Sequence, residues 1–207
     1  MSKATVFVNN QCSVPVPIFV ALLHYPMQNR RGEIIATAVT NLDLHDIARS
    51  CRTYGVSKYF VVTPVEEQHR VVGRILQHWS NERNKEWHPD RFEAFSRVLL
   101  VSDFEEVKNH IFKTAGQYPE VVLTDARPLP NAVSYADYRQ ELKSPSRTKP
   151  VLLVFGTGWG VSDVFYPEVN RILAPIHGQK ADPDGEYNHL SVRAAVAIIL
   201  DRLLGAE

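Results

Sequence analysis

Cysteine is almost missing from this chain: Cys12 and Cys51 are the only two among 207 residues. Two thiols without metal-ligand spacing exclude a disulfide scaffold and a thiolate metal site, and leave a reduced thiol at the surface or in the core as the plain reading of each. Long apolar runs are missing too. The longest, residues 14–23, contains two prolines and falls far short of the roughly twenty residues that span a bilayer. No cationic segment followed by an apolar stretch marks the N-terminus as a secretion signal, so a cytoplasmic protein with no membrane partner is expected. Net charge is also absent, since 23 Lys and Arg balance 23 Asp and Glu, which removes the bulk basic signature of a nucleic-acid binder. The eight histidines contain no HExxH or other close set, and no metal is expected.

What is present is ordinary globular composition, 44% hydrophobic and 22% charged, without low-complexity tracts or repeats. Such a chain buries one core, so residues 1–207 are expected to form a single domain. Short apolar runs alternate with amphipathic segments. PVPIFVALLHYP reads as a first buried strand broken off at Pro26, followed by the turn-rich QNRRG. Residues 42–54 carry Leu44, Ile47, Ala48 and Cys51 on one helical face, with Gly55 placed to end the helix. KYFVVTP, RVLLV, EVVLTDA, PVLLVFG and a short run in RILAPI read as further strands. Helices are predicted over 66–81, after Pro89, over 104–115, over 135–142 and over 190–204. The expected fold is α/β: a mainly parallel sheet with helices on both faces.

The stretch VLLVFGTGWG, residues 151–160, is the strongest functional signal. A glycine turn after a strand lets backbone N–H groups approach a ligand closely. In a dinucleotide-binding domain that turn follows the first strand; here one strand and one helix remain, so the ligand loop belongs to the end of the sheet. Phe155, Gly156, Thr157, Gly158 and Gly160 are the candidate loop residues, and Trp159 is a large apolar group that core packing explains poorly in a turn. Thr124 and Asp125 end a strand on the edge where α/β proteins bind ligands, although a strand-end Asp also serves as a simple cap. Asn188 and Ser191 can cap the last helix or present donors to a carboxylate or ribose. Asn41, with Asp43, can cap the helix that carries Arg49, and Arg49 can either form a surface ion pair with Asp46 or hold a phosphate or developing oxyanion with its planar fork. His24 and His45 read as structural histidines. Arg30-Arg31, the loop KSPSRTK and the helices around EEQHRVVGRILQHW and HPDRFEAF are either solvated faces or local RNA-facing patches.

Three blocks carry a family resemblance. TNLDLHDIARSCRTYGVSKYFVV, through Asn41, Arg49 and Tyr54-Gly55-Val56, resembles the first motif of the SPOUT methyltransferase superfamily, in particular its SpoU-type members. VLLVFGTGWGVSD is similar to the second motif through Gly156 and Gly160. LAPIHGQ followed by YNHLSVRAAVAIILDRLLG is similar to the third through Ile176, Gly178, Asn188, Leu190, Ser191 and Val192. HYPMQNRRG and TAVTNLDLHDIARSCRTYGV resemble a bacterial SPOUT group of S-adenosylmethionine-dependent RNA methyltransferases, related to SpoU-type and tRNA guanine-N1 enzymes.

The resemblance implies a deep C-terminal trefoil knot, although chains are normally unknotted. It implies S-adenosylmethionine bound by the loops 155–160 and 173–178, with Leu173, Ile176, Gly178, Asn188, Leu190 and Ser191 around it, and an obligate homodimer with its sites at the subunit interface. It assigns Arg49 and Asn41 to catalysis on a tRNA or rRNA nucleotide. The second motif usually has Gly-x-Glu, whereas Gly156-Thr157-Gly158 has no acid, so the target atom stays open. Two alternatives stand beside this reading: a catalytically silent SPOUT-fold module that binds cofactor or RNA, and a knotted methyltransferase acting on something other than RNA.

Overall fold

The computed structural model describes residues 14–178 and 188–206. Cys12, the N-terminal segment and the ends of the third motif block that meet at 179–187 lie outside the described residues. β1 (Ile18–Leu23) is buried at every position, as an apolar run without alternation must be. A cis Tyr25–Pro26 bond then leads into a small hairpin, β2 (Met27–Gln28) and β3 (Ile34–Ile35). α1 (Asn41–Thr53) buries Leu44, Ile47, Ala48 and Cys51, the face its spacing predicts, and Gly55 follows it at φ 71°. β4 (Lys58–Val62), α2 (Glu66–Trp79), α3 (Glu82–Trp87), α4 (Pro89–Phe95) and β5 (Val98–Val101) come next. α5 (Phe104–Ala115) is capped by Asp103 and closed by left-handed Gly116, then β6 (Glu120–Thr124), α6 (Tyr135–Lys143), β7 (Val151–Phe155), a 3-10 turn at Asp163–Glu168, β8 (Arg171–Ile172) and α7 (Val192–Leu204) complete the chain.

Among the described residues the strands form a six-stranded sheet in the order β5-β4-β1-β7-β6-β8, and every neighbouring pair is parallel. The chain builds outward from β1 to β5, crosses to β6, and then enters again with β7 between β1 and β6. Alternate side chains feed two cores. Val20 and Leu22 pack under α1, α6 and α7 with Tyr59, Tyr138 and Leu200, while Phe19, Ala21 and Leu23 pack with Met27, Phe60, Ile111 and Phe165 on the other face. No helix among the described residues is long and apolar enough to cross a membrane.

The hairpin, α3 and the 3-10 turn were not legible in the sequence, since each is too short to show a period. The cap of α1 is Thr40, not Asn41: Thr40 is extended and its hydroxyl accepts from Asp43 N, whereas Asn41 is already the first helical residue. Ser191 caps α7 as expected, accepting from Ala194 N. Phe165, in the segment VSDVFYPEV, is buried in the second core. Arg147, in the basic loop KSPSRTK, is turned inward onto Glu120 and Tyr138, so it adds no charge to the surface. Cys51 is a core thiol, and burial pushes its pKa up.

Candidate active site

At the C-terminal edge of the sheet the ends of β1, β7 and β6 lie side by side, with Phe155 in register with Leu22 on one side and Thr124 on the other. A cleft of about 770 Å³ opens there, walled by Thr37, Ala38, Thr40, Asp43, residues 124–127, residues 155–160, Ile176 and the start of α7. Strand order reverses beside this edge, which is where open α/β sheets bind ligands.

The glycine turn is closed by Gly160 N donating to Thr157 O at 3.1 Å, with Gly158 at φ 59° and Gly160 at φ 97°, a region L side chains adopt only under strain. A Cβ on Gly160 would lie 3.1 Å from Arg127 Nη2 and 3.2 Å from Asp125 Oδ2. Gly156 has a different reason to be glycine: a Cβ there would lie 2.8 Å from Met27 Cε and 3.2 Å from Val161 Cγ1. Packing against the hairpin, not approach to a ligand, demands its small size.

Thr157 ties three segments together. Its hydroxyl donates to Leu23 O at 3.1 Å, so it accepts from Thr37 Oγ1 at 2.5 Å, and Thr37 in turn accepts from His24 Nδ1 at 3.1 Å. This direction satisfies both hydroxyl protons and leaves His24 Nε2 as a buried acceptor without a partner among the described residues. Gln68 reaches from α2 to hold the same segment, accepting from Val39 N at 2.7 Å and donating to Thr37 O at 3.0 Å.

His24 is fully buried, and burial pulls its pKa from 6.5 to about 4, with Asp43 opposing the shift. The unfolded chain therefore binds a proton near pH 6.5 that the folded chain refuses until about pH 4. Stability is complete above the unfolded value and falls as pH drops toward the folded one, by about 3 kcal/mol. Urea midpoints measured at neutral pH and near pH 4.5 should show this drop, and His24→Gln should remove most of the difference. Equal pH dependence in the two proteins would show that His24 is not its source.

Two acids face the cleft. Asp125 is gripped by Arg127, whose backbone N and Nε donate to Oδ1 at 2.8 and 2.9 Å and whose Nη2 donates to Oδ2 at 2.7 Å. Asp43 is buried in the first turn of α1, where its Oδ2 accepts from Thr40 Oγ1 at 2.6 Å and its Oδ1 has no hydrogen bond among the described residues. Arg193, at the start of α7, lies 3.6 Å from that oxygen and 3.4 Å from Asp46 Oδ2, clamping the two helix starts together. The alternative of an Asp46–Arg49 pair is not realised; Arg49 is exposed and has no ion pair among the described residues, and Asp46 is turned to Arg193 of α7.

Thr124, Asp125, Phe155, Gly156, Thr157, Gly158, Gly160, Ile176, Asn188 and Leu190 all line the cleft. Thr124 Oγ1 donates to Val154 O at 3.0 Å, and Asn188 Nδ2 donates to Ala126 O at 3.5 Å. Leu173 does not line the cleft: it is buried and its N–H donates to Leu123 O at 2.9 Å, extending the sheet edge. Gly178 and Ser191 lie outside the lining, as do Asn41 and Arg49, which are exposed on α1. Sequence reasoning missed Thr37, Ala38, Thr40, Arg127, Tyr135 and Arg193 as cleft residues and read Asp43 only as a cap. The polar run TAVT before α1 and the Asp-x-Arg after β6 were the available signals, and neither has a diagnostic spacing.

A family model described as SAM-dependent RNA methyltransferase matches residues 17–205, a span that includes every wall of this cleft. The chain belongs to that family. It is an S-adenosylmethionine-dependent methyltransferase that acts on RNA. An uncharacterized protein of Aquifex aeolicus is 44% identical over 186 residues, covering 90% of this chain and 87% of that protein. A tRNA (guanine-N(1)-)-methyltransferase of Nitratidesulfovibrio vulgaris is 43% identical over 188 residues; these cover 91% of this chain but 42% of that protein, so the chain spans less than half of that relative. The SpoU methyltransferase AviRb from Streptomyces viridochromogenes, solved with AdoMet, shares the fold at a TM-score of 0.51 and 16% identity, over 91% of this chain and 57% of that one.

The donor set suits this cofactor. Ile176, Leu190 and Val192 line the cleft with apolar surface, Asp125 and the loop backbone with polar groups, and Arg193 with a cation beside the N-terminus of α7, a chemistry that fits a purine, a ribose and a carboxylate.

Proposed function

We propose that this chain is a deeply knotted, homodimeric SPOUT enzyme that methylates a nucleotide of tRNA or rRNA, with its cofactor in the cleft described above. The observation that carries the reading is the union of the glycine turn after β7 with the start of α7 in one cleft at the end of the chain. Entry of β7 between β1 and β6, with α7 packed on α1 and α6, supports the knot.

S-adenosylmethionine supplies an electrophilic methyl group on a sulfonium. Arg193 and the first N–H groups of α7 would hold its carboxylate end, the glycine turn and Ile176 would hold its adenine end, and the walls would exclude water. The acid missing from Gly156-Thr157-Gly158 has a substitute in Asp43: its Oδ1 is the cleft carboxylate oxygen without a hydrogen bond among the described residues, and it takes the proton that the acceptor nucleotide gives up. Arg49 lies eight residues along α1 from Asn41, about 12 Å by helical rise, and it is exposed and does not line the cleft of its own chain. In a dimer it serves the partner's site, steadying negative charge on the acceptor or a neighbouring phosphate.

Transfer of labelled methyl groups from S-adenosylmethionine to total RNA tests this directly. Label that RNase removes and protease leaves is the expected result. Label removed only by protease would move the substrate to protein, and cofactor binding without any transfer would make the chain a silent binding module.

A further inference from the structure

The β2–β3 hairpin is built as part of the cleft rim. Gln28 N donates to Gly160 O at 2.9 Å, Trp159 N donates to Gln28 O at 3.4 Å, and Met27 forms an antiparallel bridge with Val161. Its tip is stiff. Asn29 Oδ1 accepts from Arg31 N at 2.8 Å and Glu33 N at 3.0 Å, Gly32 sits at φ 77°, and Asn29 Nδ2 donates to Glu33 Oε2 at 2.7 Å. Asn29 thus occupies the acid of the hairpin tip. Arg30 and Arg31 are exposed and form no ion pair among the described residues. The Arg30 guanidinium lies 6.0 Å from the ring centroid of Trp159, an indole that lines the cleft and is 57% exposed.

We propose that Trp159, Arg30 and Arg31 form a docking site for single-stranded RNA, in which the indole stacks on an unstacked base and the two guanidiniums hold the adjacent phosphates. This rests on the RNA reading above and names how the strand is presented to the cleft. A base offers a free face only when it leaves its helix, and stacking on an aromatic ring is tolerant of sequence. Arginine forks match phosphate oxygens. A chain of zero net charge gains its local attraction for a polyanion from such a rim.

Binding of a fluorescein-labelled, mixed-sequence RNA of about ten nucleotides tests the site, single-stranded and as its duplex, across a salt series. Arg30→Ala/Arg31→Ala should weaken single-strand binding about tenfold and flatten the salt slope by about 1 to 2, while calorimetric affinity for S-adenosylmethionine stays at the wild-type value. Trp159→Ala should weaken single-strand binding by about tenfold, with Trp159→Phe recovering most of it because a ring face remains. Wild-type RNA affinity and slope in both alanine variants would overturn the proposal. So would duplex binding as tight as single-strand binding, or variants that lose a dimer while keeping their RNA affinity, which would make the rim a contact between copies. If the wild type methylates total RNA and the variants match its kcat/KM, the docking site alone fails; if the wild type methylates no RNA, the function proposed above fails, and the oligonucleotide measurement still decides the docking site.

Discussion

Gly160→Val is expected to lower affinity for S-adenosylmethionine by at least about a hundredfold and to destabilise the protein by about 1–3 kcal/mol. Two separate costs meet at this position. The backbone sits at φ 97°, where a β-branched side chain is least tolerated. The added carbon would also press on Arg127 and Asp125 at 3.1 and 3.2 Å, loosening a carboxylate whose two oxygens are held by one guanidinium. The glycine turn and the 124–127 loop both line the cleft and meet at this point, so a shift in either changes its shape. Calorimetry with the cofactor and a thermal melt report the two effects separately. Gly178→Ala is the control: its Cβ would meet no atom of the described residues within 4 Å, and its melting temperature should match the wild type. Wild-type cofactor affinity in Gly160→Val would take the glycine turn out of the binding site.

Arg49→Ala is expected to lower methyl transfer at least about tenfold while cofactor affinity stays unchanged, because the guanidinium acts on the acceptor. Arg49→Lys should rescue little, since an ammonium lacks the planar fork. The structure removes the simplest competing account, as Asp46 pairs with Arg193 and not with Arg49. If Arg49 serves the partner's cleft, the protein must run in light scattering at twice its 23.5 kDa chain mass. Mixing inactive Arg49→Ala with inactive Gly160→Val should then restore activity to about a quarter of wild type, since half of the dimers are mixed and each has one intact site. A monomer in solution, or no recovery in remixed chains shown to exchange, would return Arg49 to a surface role.

The sequence by itself determined the longer helices and the strands of the main sheet. Leu44, Ile47, Ala48 and Cys51 marked the buried face of α1, the unbroken run in β1 marked a buried strand, and ten of the candidate cofactor residues do meet in one cleft. These features depend on neighbours within a turn or a pleat, so a local pattern carries them. Tertiary structure alone decided the rest. Thr157 meets Leu23 and Thr37 across 134 and 120 residues, Arg193 reaches Asp43 and Asp46 from the other end of the chain, and Leu173 was drawn out of the site into the sheet edge. Gly156 was legible as a loop glycine but not as a packing glycine, because Met27 comes beside it only once the hairpin folds back. The Thr157 contact with Leu23 follows from β7 taking its place beside β1, and strand order is set by the global burial of apolar faces, which no periodicity within a single segment encodes.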